Sequence, residues 1–98
     1  MGYSLSERAR QEFIDIYNYG LREFGHDQAE RYAAGLRAAF AFLAEYPRAA
    51  RLRTEIAPPV RIFPFGEHLI LYMESEGEVL IQRLRHGHEN WIEAGIDD

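Results

Sequence analysis

Apolar residues recur at every third or fourth position through the first half of the chain, and this spacing predicts two amphipathic helices. In the first helix, Ser6 is expected to be the N-cap and Gly25 a left-handed C-terminal cap. The stripe between them consists of Ala9, Phe13, Ile16, Tyr17, Gly20 and Phe24.

The second helix has its own start signal and stripe. Asp27 and Glu30 match a capping box, and the helix is expected to end at Tyr46-Pro47. Because only about three residues would join the two helices, they are expected to pack as an antiparallel hairpin. The second stripe consists of Ala29, Tyr32, Ala33, Leu36, Phe40 and Leu43.

The remaining segments predict strands. Residues 3–5 could form a short edge strand, and residues 47–59 show no period and are expected to form a loop. Three further strands are expected at VRIFPF (60–65), HLILYM (68–73) and EVLIQRLR (78–85). Their short glycine-containing connections favour an antiparallel meander. The predicted fold is a single α+β domain over residues 1–98, ordered β-α-α-β-β-β, with a helical hairpin packed on one face of a small antiparallel sheet.

Two helices cover only one face of a sheet, so the other face is expected to be open to a partner. Regular alternation places Val79, Ile81, Arg83 and Arg85 on one side of the last strand, and Leu80, Gln82, Leu84 and His86 on the other. In the first meander strand, Arg61, Phe63 and Phe65 share a side. The residues expected in the helix–sheet core are Phe13, Leu36, Phe40, Leu71 and Tyr72.

Composition narrows the function classes. All 11 basic residues are arginine, and with 16 acidic residues the net charge is −5. This balance argues against a protein whose main task is binding nucleic acid, where phosphate neutralisation dominates affinity. The absence of cysteine excludes a disulfide scaffold and thiolate metal sites. No apolar run approaches the ~20 residues that span a bilayer and no signal-peptide pattern is present, so a cytoplasmic location is expected.

The stretch IQRLRHGHENW, residues 81–91, allows three interpretations. RNA cleavage needs an acid, a base and a cation for the phosphate, which Arg83, His86, His88 and Glu89 could supply. His86-Gly87-His88 could chelate a metal weakly, but a closed site needs three or four ligands, so neither a metal nor a cofactor is predicted. The preferred interpretation is a protein-docking surface, with Trp91 packed back onto the sheet.

Several segments, in order, make the chain similar to the ParE toxins of the RelE/ParE superfamily, the toxic halves of bacterial type II toxin–antitoxin pairs. They are LSERARQEFIDIYNYG, GHDQAERYAAGL, EYPRAARLR, VRIFPFGEHLILYM and LIQRLRHGHENW. The most specific pattern is R-x-F-P-x-G-x-H-x-I-x-Y, followed by R-x-x-H-G and then Trp. The resemblance implies the same fold, a cognate ParD-like antitoxin whose C-terminal segment wraps around the toxin, and DNA gyrase as the target.

RelE-like members of the superfamily instead cut messenger RNA in the ribosome, and a shared fold does not decide between the two activities. Such enzymes commonly carry lysine and a late tyrosine on a basic surface. This chain has no lysine, its last tyrosine is Tyr72, and the tail after Trp91 is acidic. These departures favour a non-enzymatic gyrase inhibitor, with a RelE-like endonuclease as the alternative.

The docking hypothesis names particular residues. Acidic and apolar antitoxin tails would pair with arginine forks and aromatic anchors, so the expected antitoxin-binding residues are Arg61, Phe63, Arg83, Arg85, His86 and Trp91. Arg48, Arg51 and Arg53 are expected to form a solvated loop face, with acid pairing to the antitoxin as the alternative. The hairpin tip at residues 23–27 is either a solvated turn or a gyrase contact.

Overall fold

The structure is a computed structural model that describes residues 2–87 of the chain. Within these residues the elements are β1 (Tyr3–Leu5), α1 (Glu7–Phe24), α2 (His26–Glu45), β2 (Leu52–Arg53), β3 (Val60–Phe65), β4 (His68–Ser75) and β5 (Glu78–His86). The helical hairpin packs on one face of a sheet with strand order β1-β5-β4-β3-β2. The predicted α+β fold is confirmed. Neither helix in this part of the chain is long and apolar enough to cross a membrane.

The centre of the sheet is β4, as its continuous apolar sequence predicts. Ile70, Leu71 and Tyr72 are all fully buried. The meander of β3, β4 and β5 is antiparallel, whereas β1 pairs with β5 in parallel, so the complete sheet is mixed. The two residues of β2 pair with the start of β3 inside the segment expected to be a loop. A strand of this length is too short to show a period.

Ser6 joins the start of α1 to the sheet. Its hydroxyl accepts a hydrogen bond from the Ala9 N–H at 3.0 Å, which confirms the predicted N-cap. The same hydroxyl donates to the Gln82 carbonyl at 2.7 Å, and the Ser6 N–H donates to the Ile81 carbonyl at 2.9 Å. The cap residue therefore also continues the bonding along the edge of β5 where β1 ends.

Gly25 alone connects α1 to α2. Its φ of 89° is positive as expected, but its ψ of 171° is extended, so the predicted left-handed cap is wrong. The capping box predicted at Asp27 and Glu30 is also wrong, because α2 begins at His26 with no side-chain cap bond. Glycine adopts this conformation without a steric penalty, and the chain reverses within one residue instead of about three.

The apolar stripe of α2 provides most of the helix side of the core. Leu36, Phe40 and Leu43 are no more than 1% exposed, which confirms the predicted facing of this helix. The ring of Phe40 lies 5.5 Å from that of Tyr3 and 6.2 Å from that of Phe13. The core therefore draws on β1 and both helices as well as on the central strands.

Leu71 does not join this core, contrary to the prediction. Successive strand residues point to opposite faces, and Tyr72 faces the helices. Leu71 instead packs with Ile56 and Val60 on the face opposite the helices, here called the far face. Ile56 comes from the segment between β2 and β3, so the far face carries a small second core and is not bare.

A β-bulge at Gln82 interrupts the alternation of β5. Tyr72 pairs with Ile81 and Leu71 pairs with Arg83, which leaves Gln82 without a partner in the ladder. The extra residue shifts every later residue of β5 to the face opposite the one that simple alternation predicts.

The shift changes which residues of β5 share a face. Val79, Ile81 and Leu84 all belong to the helix-side core. Arg83 and Arg85 lie across from far-face residues of β4. The prediction that these arginines share a side with Val79 and Ile81 is therefore wrong.

Candidate functional site

Arg61 lies on the helix side of β3, so its expected place on an open face is wrong. It pairs in register with Tyr72, and its side chain is only 15% exposed. Its guanidinium donates to the Ala50 carbonyl at 2.7 Å and to a Glu74 carboxylate oxygen at 3.5 Å. The Tyr72 hydroxyl donates to the Pro47 carbonyl at 2.8 Å. Together these two side chains hold the loop that follows α2.

Arg83 is engaged by a carboxylate of the same chain. Its Nε and an Nη donate to Glu12 Oε2 at 3.1 and 2.8 Å, and the side chain is only 8% exposed. Glu12 Oε1 also accepts from the backbone N–H of Leu84 at 2.8 Å. We call this arrangement of Glu12, Arg83 and Leu84 the Glu12 clamp. One α1 carboxylate thus neutralises a buried arginine and bonds the edge of β5.

The predicted antitoxin-binding residues divide between the two faces of the sheet. Arg85 pairs with Leu69 on the far face and is 7% exposed. Phe63, by contrast, packs against the helix-side core. Because Arg83 lies on the far face and Arg61 on the helix side, the structure contains no single arginine-and-phenylalanine face of the predicted kind within residues 2–87.

An exposed aromatic cluster lies where the end of α2 meets β3. The Phe42 ring lies 5.2 Å from that of Tyr46 and 5.8 Å from that of Phe63. Phe42 and Tyr46 are 43% and 58% exposed. Arg48 follows on the adjoining loop with its side chain 84% exposed. We call Phe42, Tyr46, Phe63 and Arg48 the aromatic rim. Exposed aromatic and arginine side chains of this kind are enriched in protein interfaces.

The loop arginines surround one carboxylate. Arg53 Nε donates to Glu55 Oε2 at 2.6 Å, and an Arg51 Nη lies 3.5 Å from the same oxygen. The hydrogen bond from Arg53, with smaller contributions that include the charge of Arg51, lowers the pKa of Glu55 from 4.5 to about 2. The Arg48 and Arg51 side chains are 84% and 71% exposed and face solvent, whereas that of Arg53 is only 30% exposed. Acid pairing of these arginines to an antitoxin stays a prediction.

A cleft of about 140 Å³ opens between the helices near the tip of the hairpin, and we call it the tip cleft. Tyr19 and Phe24 at its mouth are each 53% exposed, and their rings lie 6.3 Å apart. The Tyr17 hydroxyl donates to Glu30 across the hairpin, and this bond raises the Tyr17 pKa. The other aromatic and polar residues that line the cleft include Phe13, Gln28, Tyr32, Glu67 and His68.

Tyr32, His68 and His86 meet beside the tip cleft. The Tyr32 hydroxyl lies 2.6 Å from His68 Nδ1, and the rings of His68 and His86 lie 5.5 Å apart. Burial raises the pKa of Tyr32, so its hydroxyl is protonated at neutral pH. This group is absent from the sequence prediction. Counting back from the turn between β4 and β5 would pair His68 with Arg85, and only the bulge pairs it with His86.

The residues proposed for RNA cleavage are also divided between the two faces of the sheet. Arg83 lies on the far face in the Glu12 clamp, whereas His86 lies on the helix side beside His68. His88 and Glu89 lie outside the described residues, as does Trp91 of the antitoxin-binding set. The two nuclease candidates that the structure describes therefore do not face a common phosphate.

Comparisons with known proteins identify relatives of the whole fold. The family model described as "ParE toxin of type II toxin-antitoxin system, parDE" matches residues 3–91. Toxin ParE1 of Mycobacterium tuberculosis is 33% identical over 85 residues, covering 86% of this chain and 87% of that protein. Toxin ParE1 of Caulobacter vibrioides is 31% identical over 70 residues, covering 71% of this chain and 73% of that protein.

A solved structure also has a similar fold. It is described as the chromosomal ParDE TA system from P. aeruginosa and superposes with a TM-score of 0.74. The match covers 88% of this chain and 95% of that chain at 17% identity, so the likeness concerns the fold alone.

Proposed function

Because this chain belongs to the ParE toxin family of type II toxin–antitoxin systems, we propose that it inhibits DNA gyrase and is neutralised by a cognate ParD-like antitoxin. The observation that carries this proposal is the family match over residues 3–91, which takes in both helices and all the strands described above. Gyrase works on DNA inside the bacterial cell, so the proposal places the protein in the cytoplasm. The proposed action is binding, without a catalytic step.

The aromatic rim is the proposed docking surface for the antitoxin. Phe42, Tyr46 and Phe63 offer apolar contacts. The exposed guanidinium of Arg48 can donate two parallel hydrogen bonds to a carboxylate of the antitoxin. An antitoxin tail that orders on binding needs such anchors, because they must offset its lost conformational entropy. Arg61 supports this surface indirectly by holding the loop that carries Arg48.

The remaining predicted residues fit a longer contact. Arg83 and Arg85 would touch only an antitoxin segment that continues onto the far face, because the bulge places both side chains there. Arg83 would also have to exchange or share its bonds with Glu12. We therefore place the main antitoxin anchors on the aromatic rim, and we keep the far-face arginines as a secondary contact.

The tip cleft is the proposed gyrase contact. Tyr19 and Phe24 present apolar rings at the end of the hairpin, where both are about half exposed. Exposed aromatic side chains that lie together often mark a protein-binding site. They contribute more to the binding free energy once an interface removes them from water. The charged residues of the tip, among them Glu23 and Asp27, would form the polar border of this contact.

Two double variants test both surfaces, and each is the control for the other. Tyr19→Ser/Phe24→Ser and Phe42→Ser/Tyr46→Ser each remove one tyrosine and one phenylalanine of similar exposure. The tip variant should lose inhibition of supercoiling by purified gyrase and keep antitoxin binding measured by calorimetry. The rim variant should keep gyrase inhibition and bind the antitoxin encoded beside the toxin gene more weakly.

Two results would contradict these proposals. If the parent protein leaves gyrase supercoiling unchanged and makes codon-dependent cuts in a purified translation mixture, the RelE-like alternative is correct. If gyrase is inhibited but each double variant behaves like the parent in both assays, the function stands and both surfaces are wrong. Circular dichroism of each variant checks that the fold is retained.

A further inference from the structure

We propose that the tip cleft receives one aromatic side chain of gyrase, from a segment in which that side chain neighbours a lysine or arginine. The inference rests on the proposed gyrase contact and goes further, because it states the chemistry of the group that the toxin recognises. The evidence is the size of the cleft, the small residues that keep it open, the fixed turn beside it and the carboxylates at its mouth.

The size of the cleft suits a single ring. Its volume is about 140 Å³, and its apolar walls include Phe13, Ile16 and Leu36. An apolar protein cavity of about 150 Å³ holds one benzene molecule. Tyr19 and Phe24 lie at the mouth, each 53% exposed, where their rings can contact an entering ring edge to face. The cleft can therefore take up one aromatic side chain.

Small residues keep the cleft open where the two helices face each other. Gly20 of α1 lies against Ala29 of α2, and a Cβ added at Gly20 would be 3.3 Å from the Ala29 Cβ. Ala29 and Ala33 are buried and line the cleft. Larger side chains at these alanines would fill the space, so the sequence itself keeps room for a ring.

The wall of the cleft on the sheet side is fixed through Tyr32. The Glu67 N–H donates to the Tyr32 hydroxyl at 3.3 Å. At Gly66, whose φ is 57°, an added Cβ would lie only 2.6 Å from the same hydroxyl. The turn between β3 and β4 therefore packs directly against α2. A cleft whose walls are already ordered loses less conformational entropy when a ligand enters it.

Carboxylates border the mouth of the cleft. Glu67 lines the cleft and is exposed. Glu23 is also exposed and follows Tyr19 by four residues, so it lies on the same side of α1 as that ring. A positive group beside the entering ring would therefore meet two carboxylates.

The arginines of the tip lie on other sides of their helices. Arg22 comes two residues after Gly20, and Arg31 comes two residues after Ala29. At 3.6 residues per turn, each arginine is about 160° around its helix from a residue that lines the cleft. The mouth is therefore locally negative, which favours a lysine or arginine next to the ring on the partner.

The first test uses the full chain and protonated phenethylamine as the probe. In NMR spectra the probe should shift the signals of Phe24 and Ala33 and leave those of Phe42 in place, with a Kd on the order of 1 mM for a fragment of this size. Hydrocinnamate, which has the same ring and linker but a carboxylate, should bind about fivefold more weakly. Butylamine, which has no ring, should produce no shifts at the cleft.

Substitutions then separate the space from the charge. Ala33→Leu fills the cleft and should abolish binding of the probe. Glu67→Gln should weaken binding of phenethylamine about threefold and should not weaken binding of hydrocinnamate. Glu76→Gln is the matched control, because it makes the same change of charge at an exposed residue beyond the opposite end of β4, and it should bind like the parent.

The link to gyrase is tested with the parent protein, so it does not depend on the folding of any variant. Phenethylamine at a concentration that saturates the cleft should relieve the inhibition of supercoiling, and butylamine at the same concentration should not. If the parent inhibits gyrase but the probe does not bind the cleft, or binds without relieving inhibition, this inference is wrong and the proposed function stands. If the parent leaves supercoiling unchanged, both are wrong.

Other occupants of the cleft would give different results, and each would overturn the proposal. Binding of the probe by Trp91→Ala but not by the parent would assign the cleft to a ring of the chain's own tail. Displacement of the cognate antitoxin by the probe, with gyrase inhibition unchanged, would assign it to an antitoxin side chain. Conversion of a dimer to a monomer by the probe in sedimentation would assign it to a second copy of this chain.

Discussion

Glu12 bonds the outer edge of β5 where the neighbouring strand has ended. β1 pairs with β5 only as far as Leu5 and Ile81. Beyond that point the Ser6 hydroxyl donates to the Gln82 carbonyl, and α1 carries Glu12 back to the edge, where its carboxylate accepts from the Leu84 N–H. An unpaired buried backbone donor costs about 1–3 kcal/mol, so this carboxylate acts on stability as well as on charge.

Arg83→Ala is expected to lower the free energy of unfolding by about 1–3 kcal/mol, because Glu12 loses its charge partner in a largely buried place. Glu12→Gln should cost at least as much, since it removes the negative charge opposite the more deeply buried guanidinium, although the amide oxygen can still accept from the Leu84 N–H. Urea unfolding of the two single variants and the double variant measures the coupling. An Arg83→Ala midpoint equal to that of the parent would show that the clamp contributes nothing.

Glu55 should titrate far below its ordinary range. Its pKa of about 2, against 4.5, depends first on the hydrogen bond from Arg53. A lowered pKa in the folded state stabilises the fold above pH 4.5, and this contribution disappears as the pH falls through about 2. Carboxyl chemical shifts followed by NMR should show the low pKa in the parent and a higher one in Arg53→Ala. Arg22→Ala, remote in sequence on α1, should leave it unchanged.

At the scale of elements, the sequence predicts a helix with a long regular hydrophobic period, but it does not predict a change of backbone course that depends on a single residue. The α2 stripe repeats over 20 residues, and its buried face agrees with the prediction. The Gly25 reversal and the Gln82 bulge each depend on one residue, and neither changes the hydrophobic pattern enough to be recognised. Composition identifies arginines and histidines as candidate site residues, but strand register decides which face of the sheet each one occupies. The sequence therefore does not predict that Tyr32 and His68 lie together.

Phe40 and Phe42 provide a matched test of how α2 faces the sheet. Phe40 is 1% exposed in the core and Phe42 is 43% exposed on the rim. Phe40→Ala should lower the free energy of unfolding by about 3–5 kcal/mol, because it leaves a cavity among packed side chains. Phe42→Ala should change it far less. Thermal melts of both variants decide the matter, and equal losses would mean that the helix is rotated from the described position.

At the scale of the whole molecule, α2 separates the two proposed docking surfaces. The aromatic rim lies at the C-terminal end of this helix and the tip cleft at its start. With a rise of 1.5 Å per residue, the surfaces are roughly 25 Å apart. An antitoxin anchored on the rim would need about eight extended residues to reach the tip.

This distance predicts that antitoxin binding and neutralisation can be separated. An antitoxin truncated to the segment that contacts the rim should still bind the toxin in calorimetry. It should leave gyrase inhibition in place, because the tip remains uncovered. Restoring about eight residues should restore neutralisation in the supercoiling assay. If the shortest binding fragment already neutralises, the gyrase contact lies nearer to the rim than we propose.

The bulge at Gln82 has a consequence for comparing this protein with its relatives. Removing that one residue would leave Arg83, Leu84 and Arg85 on their present faces, because Ile81 and Arg83 would then be ordinary neighbours in the ladder. Keeping Gln82 but giving it a regular place in the ladder would instead turn Arg83 and Arg85 toward the helices and Leu84 toward the far face. Two homologues could therefore align letter by letter without a gap and still present opposite side chains to the same partner, if only one of them has the bulge.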